Sequence, residues 1–187
     1  MNIGILILAA GKSERFQNTG GCGSKLNYIL EQQTVFKKTL LNSIGSGFPI
    51  HVITRSDNEG VINNCLQFNI PHSLLNSDGL GKSIALGVKN TPNWDGWLIH
   101  LADMPYIDRE IFIQVGRKLN KYSLVRPVYN GIPGHPVGIS AKYRQNLMHL
   151  SGDDGAKSIL QHQFVYEMQI NDENVIKDID YLPNKNQ

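Results

Sequence analysis

Short apolar runs alternate with segments of helical period along this 187-residue chain, and that alternation confines it to one architecture, a largely parallel sheet covered by helices. Residues 3–9, 50–54, 97–101, 123–128 and 136–140 read as strands, with a weaker candidate at 165–170. Residues 34–46, 58–68, 81–90, 108–120, 141–150 and 156–162 read as helices between them. The run at 3–9 is apolar throughout, as a strand buried on both faces must be. QNTGGCGS, residues 17–24, is the one loose stretch near the front and is predicted to be mobile until a ligand orders it.

A composition of 41% hydrophobic and 18% charged residues suits a single α/β domain spanning residues 1–182, with a frayed tail at 183–187. Eighteen basic against sixteen acidic side chains leave a net charge of +2, which offers no electrostatic case for nucleic acid or a membrane surface. Two cysteines are too few for a disulfide scaffold and fit a reducing, cytoplasmic setting; no stretch approaches transmembrane length.

Gly11-Lys12-Ser13 has the ending of a phosphate-wrapping P-loop, but that loop needs a glycine five positions before the Gly-Lys-Ser, and Leu6 stands there inside a strand. Gly81-Lys82-Ser83 fails in the same way at Asn76. In open α/β sheets ligands bind where loops leave the carboxyl ends of the strands. The first strand delivers Ala9-Ala10-Gly11 to that edge, with Ser13 initiating a helix and with Arg15 and Lys25 as nearby cations. The strand at 97–101 runs into Ala102-Asp103-Met104-Pro105, so one carboxylate reaches the same rim and can hold Mg²⁺ against phosphate oxygens.

Each element also has a plainer reading. Asp103 could cap the helix starting near Asp108, and Gly134-His135-Pro136 could be a tight turn entering a strand. Gly152-Asp153-Asp154-Gly155 could be a turn and the cap of the next helix, and Lys37-Lys38 a solvated helix face. Their joint order carries more weight than any one of them.

In that order, LAAGKSERF…GSKL, GLGKSIALGV, LADMP, GHPVGIS, LSGDDGAKSIL and a terminal DID, the chain resembles the MobA-like nucleotidyltransferases over residues 3 to about 182. Within them it is most similar to the molybdenum cofactor cytidylyltransferases. The resemblance implies a three-layer, Rossmann-like nucleotidyltransferase fold and transfer of a nucleotidyl group from an NTP to a phosphorylated acceptor, with loss of pyrophosphate. It implies that Leu8, Ala9, Ala10 and Gly11 line the nucleotide pocket, that Arg15 and Lys25 hold the triphosphate, and that Asp103 ligates Mg²⁺. Ser83 and the Gly79 to Gly81 turn would approach the base or ribose; Gly134, His135 and Pro136 would border the acceptor, with Asp153 in the loop that follows. Asp178 is favoured over Asp180 as a second metal ligand.

The resemblance further implies CTP as donor, because relatives that use CTP carry Leu-Ala-Ala-Gly where those that use GTP carry Leu-Ala-Gly-Gly, and it implies molybdopterin as acceptor. A guanylyltransferase, a sugar-phosphate nucleotidyltransferase, or a nucleotide-binding partner or chaperone of a molybdoenzyme are the other readings. The chain departs from the pattern in having Phe16 for methionine, Lys25 ten rather than five positions after Arg15, Lys82 where a small residue is usual, and DIDYLPN in place of DIDTPED.

Overall fold

Ile3–Ala9 (β1) is buried at every position because helices cover both of its faces. The computed structural model describes residues 1–76 and 79–180; the end of the expected domain at 182, the expected tail and the last residues of DIDYLPN lie outside them. After β1 come Glu14–Asn18 (α1), a hairpin of Ile29–Leu30 (β2) and Gln33–Thr34 (β3), Val35–Gly45 (α2), Ile50–Thr54 (β4), Glu59–Gln67 (α3) and His72–Leu74 (β5). Leu80–Asn90 (α4), Gly96–Leu101 (β6), Arg109–Leu119 (α5), Leu124–Tyr129 (β7), Ile132–Pro133 (β8) and Val137–Ser140 (β9) follow. Arg144–Met148 (α6), Lys157–Gln161 (α7) and Tyr166–Gln169 (β10) come next, and a 3-10 turn at Glu173–Ile176 precedes the last described residues.

The main sheet runs β10-β7-β9-β6-β1-β4-β5, with β8 paired to β7. β1 is parallel to β4 and β6, β4 to β5, and β7 to β10. β9 is antiparallel to both β6 and β7, and the short β8 is antiparallel to β7. Alternate residues of β1 feed two cores. Ile3, Ile5 and Ile7 join Phe36 and Leu40 of α2, Val61 of α3 and Phe112 of α5. Leu6 and Leu8 join Ile84 and Val88 of α4, Leu147 of α6 and Ile159 of α7. The result is a three-layer α/β fold with a mostly parallel central sheet.

Helix starts follow local chemistry. The side chains of Thr34, Asn58 and Asp108 accept hydrogen bonds from the first turns of α2, α3 and α5. Asp108 therefore caps α5 itself, and Asp103 is released from the capping reading. Two expected helices shrink: residues 141–143 form a 3-10 turn before α6, and α7 has only five residues and no side-chain cap. The hairpin β2-β3 and the strand β5 were not apparent in the sequence, being too short to show alternation.

Candidate active site

Because β1 and β6 are parallel and Leu8 stands opposite Leu101, the loops that follow them leave the same edge side by side. The Ala102 amide donates to the Leu8 carbonyl (3.1 Å), and the buried Thr39 hydroxyl donates to the Ala102 carbonyl (2.9 Å), fixing the backbone that presents Asp103. The Ile179 amide donates to the Asp103 carbonyl at 2.9 Å. This bond holds the C-terminal segment at the rim, where Asp178 and Asp180, more than seventy positions away in sequence, stand beside Asp103. Oxygen atoms of the three carboxylates lie within 4.8 Å of one another.

Lys25 sits against this acidic group. Its Nζ is 2.6 Å from Asp103 Oδ2 and 2.8 Å from Asp180 Oδ1, while Arg15 Nη1 donates to Asp180 Oδ2 at 2.7 Å. The Arg15 side chain is 74% exposed, so its pair is weak; Lys25 and Asp103, at 14% and 15%, interact in a poorer dielectric. Burial works against the charge of Lys25, yet Asp103 and Asp180 outweigh it and raise its pKa. Loss of hydration opposes the charge of Asp180, but hydrogen bonds from Lys25 and Arg15 hold its pKa below the ordinary value. Asp178 goes the other way, pushed up by loss of hydration and then by the charges of Asp180 and Asp103.

The ten-residue spacing from Arg15 to Lys25 is folded so that Lys25 reaches the rim. Phe16 is buried, edge-on to Tyr28 at 5.7 Å, and residues 17–24 turn tightly around it. The Gly21 amide donates to the Phe16 carbonyl (3.1 Å), and a Cβ at Gly21 would lie 2.2 Å from the Phe16 ring. Ser13 occupies the position before α1, but its hydroxyl does not cap that helix; it accepts from the Lys25 amide at 3.1 Å. The departure at Phe16 and the inserted residues thus form one unit that returns the chain to the rim. With only five residues, α1 contributes a smaller field than these full charges.

Two cavities meet above this edge. The first, of about 530 Å³, is lined by Leu8, Ala10, Gly11, Arg15, Lys25 and Asp103, and also by Gly79, Ser83, Asp153 and Asp180. The second, of about 510 Å³, is lined by Gly134 and His135 among others, and shares Leu80 and Leu101 with the first. Some expected residues lie elsewhere. Ala9 turns into the core beneath the opposite face of the sheet, Gly81 is buried against Ser151, and Pro136 is buried and lines neither cavity. Asp153 faces the first cavity rather than the second. Asp180 carries more contacts to the cations than Asp178, a ranking the DID pattern could not supply.

Glycines hold the cavity walls close. A Cβ at Gly79 would lie 2.6 Å from the Gly152 carbonyl oxygen, and the Gly81 amide donates to that same oxygen at 2.9 Å, so the Gly79 to Gly81 turn packs on the loop at 151–155. Gly134 has equally little room, its Cβ position lying 2.4 Å from the Val175 carbonyl oxygen. The His135 amide donates to that oxygen at 2.8 Å, tying the second cavity's wall to the segment that delivers Asp178 and Asp180.

The acidic group fits a hard divalent cation. Its donors are carboxylate oxygens, and no hydrogen-bond donor among the described residues reaches the buried Oδ1 of Asp103. Such an orphaned oxygen costs about 1–3 kcal/mol unless a further partner satisfies it. Mg²⁺ and Mn²⁺ suit an all-oxygen set of this kind.

An open α/β sheet with a cation and carboxylate cluster at its carboxyl edge, but no P-loop, suits phosphate groups held by fixed charges rather than by a wrapping backbone loop. The chain belongs to the MobA-like NTP transferase domain family, whose profile matches residues 5–168. No curated protein matches the chain by sequence. Among solved structures it is similar to Rv0371c from Mycobacterium tuberculosis H37Rv, with a TM-score of 0.83 and 20% identity over 96% of this chain and 93% of that one. A structure of Rv0371c in complex with manganese aligns with a TM-score of 0.78 at 18% identity, covering 91% and 89%. A nucleotidyl transferase from Methanothermobacter thermautotroptrophicus aligns at 0.81, 16% identity, 96% and 92% coverage. The 4-diphosphocytidyl-2C-methyl-D-erythritol synthase from Anaerococcus prevotii aligns at 0.73, 16% identity, 95% and 92% coverage. These likenesses establish a shared fold, and family membership supports nucleotidyl transfer. No helix among the described residues is long and apolar enough to cross a membrane.

Proposed function

We propose that the protein transfers CMP from CTP to a phosphorylated acceptor, molybdopterin, with release of pyrophosphate. The observation that carries this reading is the cluster of Lys25, Arg15, Asp103, Asp178 and Asp180 at the rim of a nucleotide-sized cavity that opens onto a second cavity. A phosphomonoester acceptor is largely dianionic at neutral pH, since its second pKa is about 6, so one of its oxygens can attack the α-phosphorus without a protein base. A new phosphorus–oxygen bond forms there as the bond to the bridging oxygen breaks, and the electron pair leaves with pyrophosphate.

The chain's own work is alignment and charge neutralisation. Arg15 and Lys25 would hold the triphosphate; Leu8, Ala10, Gly11, Gly79 and Ser83 would shape the nucleotide pocket, with Asp153 on its wall. Asp103, Asp178 and Asp180 would hold Mg²⁺, which when bound offsets phosphate charge. Gly134 and His135 would border the acceptor. CTP is favoured by the Ala10 methyl, which is buried on the first cavity's wall where a purine needs more room, and by the cytidylyl chemistry named for the Anaerococcus neighbour.

Pyrophosphate release with each of the four NTPs, Mg²⁺ and molybdopterin tests the reading. CTP should exceed GTP by roughly ten- to two-hundredfold in kcat/KM. A preference for GTP would make the protein a guanylyltransferase; release only with sugar phosphates would move the acceptor. Nucleotide binding with no release at all would leave a maturation partner of a molybdoenzyme.

A further inference from the structure

The second cavity differs from a bare phosphate site in what lines it. Its walls include Ile84, Ile99, Val137 and Leu160, and its charged lining residues comprise Arg126, Lys157 and Asp154 beside His135. Arg126 is on β7 directly opposite Glu167 on β10, and its Nε and Nη2 donate to Glu167 Oε1 at 3.2 and 2.5 Å. Neither Arg126 nor Lys157 lines the first cavity. Glu167 anchors the guanidinium from the neighbouring strand and lines neither cavity. Lys157 begins α7 and is exposed.

Apolar walls with a few polar groups are the usual make-up of a site for a ring system, whereas a small polyol would leave that surface without a partner and its own hydroxyls poorly bonded. An arginine held in a fixed plane is suited to a flat, hydrogen-bond-accepting edge. We propose that Arg126 and Lys157 determine acceptor specificity by reading the electron-rich edge of a fused heteroaromatic ring whose apolar body fills the second cavity and whose phosphate faces the first. This rests on reading the second cavity as the acceptor site.

The test uses riboflavin 5′-phosphate as the ring-bearing phosphomonoester and ribose 5-phosphate as the polyol, with dissociation constants measured by calorimetry on the intact protein, and Mg-CTP titrated in parallel. Wild type binds the flavin phosphate at least tenfold more tightly than ribose 5-phosphate. Lys157→Ala and Arg126→Ala each weaken the flavin phosphate at least threefold and leave the Mg-CTP constant within twofold. Lys157→Ala alters an exposed position and decides the matter if Arg126→Ala does not fold. Equal affinity for the two phosphates, or unchanged flavin-phosphate affinity in Lys157→Ala, overturns the proposal. Loss of Mg-CTP binding by wild type instead overturns the nucleotide reading on which it rests.

Discussion

The two cavities are nearly equal in size, about 530 and 510 Å³, and share Leu80 and Leu101, yet their chemistry diverges. The first gathers Lys25, Arg15, Asp103 and Asp180 with Gly11 and Gly79; the second sets a few charged groups among branched apolar side chains. The difference teaches where each kind of free energy is spent. On the proposed function, neutralising a triphosphate takes full charges gathered at the rim, whereas selecting an acceptor takes surface area and shape. Both walls depend on the same C-terminal segment, through Ile179 on Asp103 and Val175 on His135.

The largest expected effect lies in the polar cavity. Asp103→Asn preserves shape but removes the negative charge that Lys25 contacts and turns one of the two carboxylate oxygens into an amide nitrogen. Turnover should fall about 10²- to 10³-fold with the fold retained; turnover within a few-fold of wild type would separate the cluster from the chemistry. Lys25→Ala should cost about a hundredfold in kcat/KM for the nucleotide. It should also tighten the binding of Mn²⁺ alone, because the lysine no longer competes for Asp103 and Asp180. Unchanged or weaker Mn²⁺ binding by this variant would contradict the placement of the cation among those carboxylates.

A smaller effect concerns the shape of the first cavity. Ala10→Gly should weaken the preference for CTP over GTP without inverting it, since one methyl is worth about 1–3 kcal/mol. An unchanged ratio of kcat/KM values would remove Ala10 from nucleotide selection.

Much of this was legible in the sequence because β1, β4, β6 and β7 are short, mostly apolar runs between helical segments, and periodicity reports such elements directly. The rim positions 10–15 and 103 were legible because they follow strands. The sequence favoured Asp178 over Asp180, and only the spatial arrangement of Lys25 and Arg15 shows that it is Asp180 the cations hold. Arg126 and Lys157 carried no signal, because a lone cation in a strand or at a helix start is indistinguishable from a solvated one. Ala9 was misplaced for a simple reason: alternate residues of a strand face opposite cores, and Ala10 and Leu8 take the face with the cavity.

The smallest effect lies outside both cavities. His100 is fully buried, edge-on to Phe112 at 4.9 Å, with no hydrogen-bond partner for either ring nitrogen among the described residues. Burial, and then the nearby His135, lower its pKa from 6.5 to about 3. Between those values the unfolded chain binds a proton that the folded one refuses, so stability is unaffected above pH 6.5 and declines as pH falls below it. His100→Leu should recover about 2 kcal/mol of the loss between pH 6.5 and 5. Urea unfolding at the two pH values checks this, and parallel curves for variant and wild type would show that His100 does not titrate as described.

The fate of a single label tests the central claim most directly. CTP carrying ³²P at the α-position, or separately at the γ-position, is incubated with the protein, Mg²⁺ and molybdopterin, and the products are resolved. Nucleotidyl transfer at the junction of the two cavities places the α-label on the acceptor and the γ-label in pyrophosphate. A γ-label on the acceptor would mean phosphoryl transfer, the chemistry of a kinase, and α-label recovered only in free CMP would mean hydrolysis; either result contradicts the account.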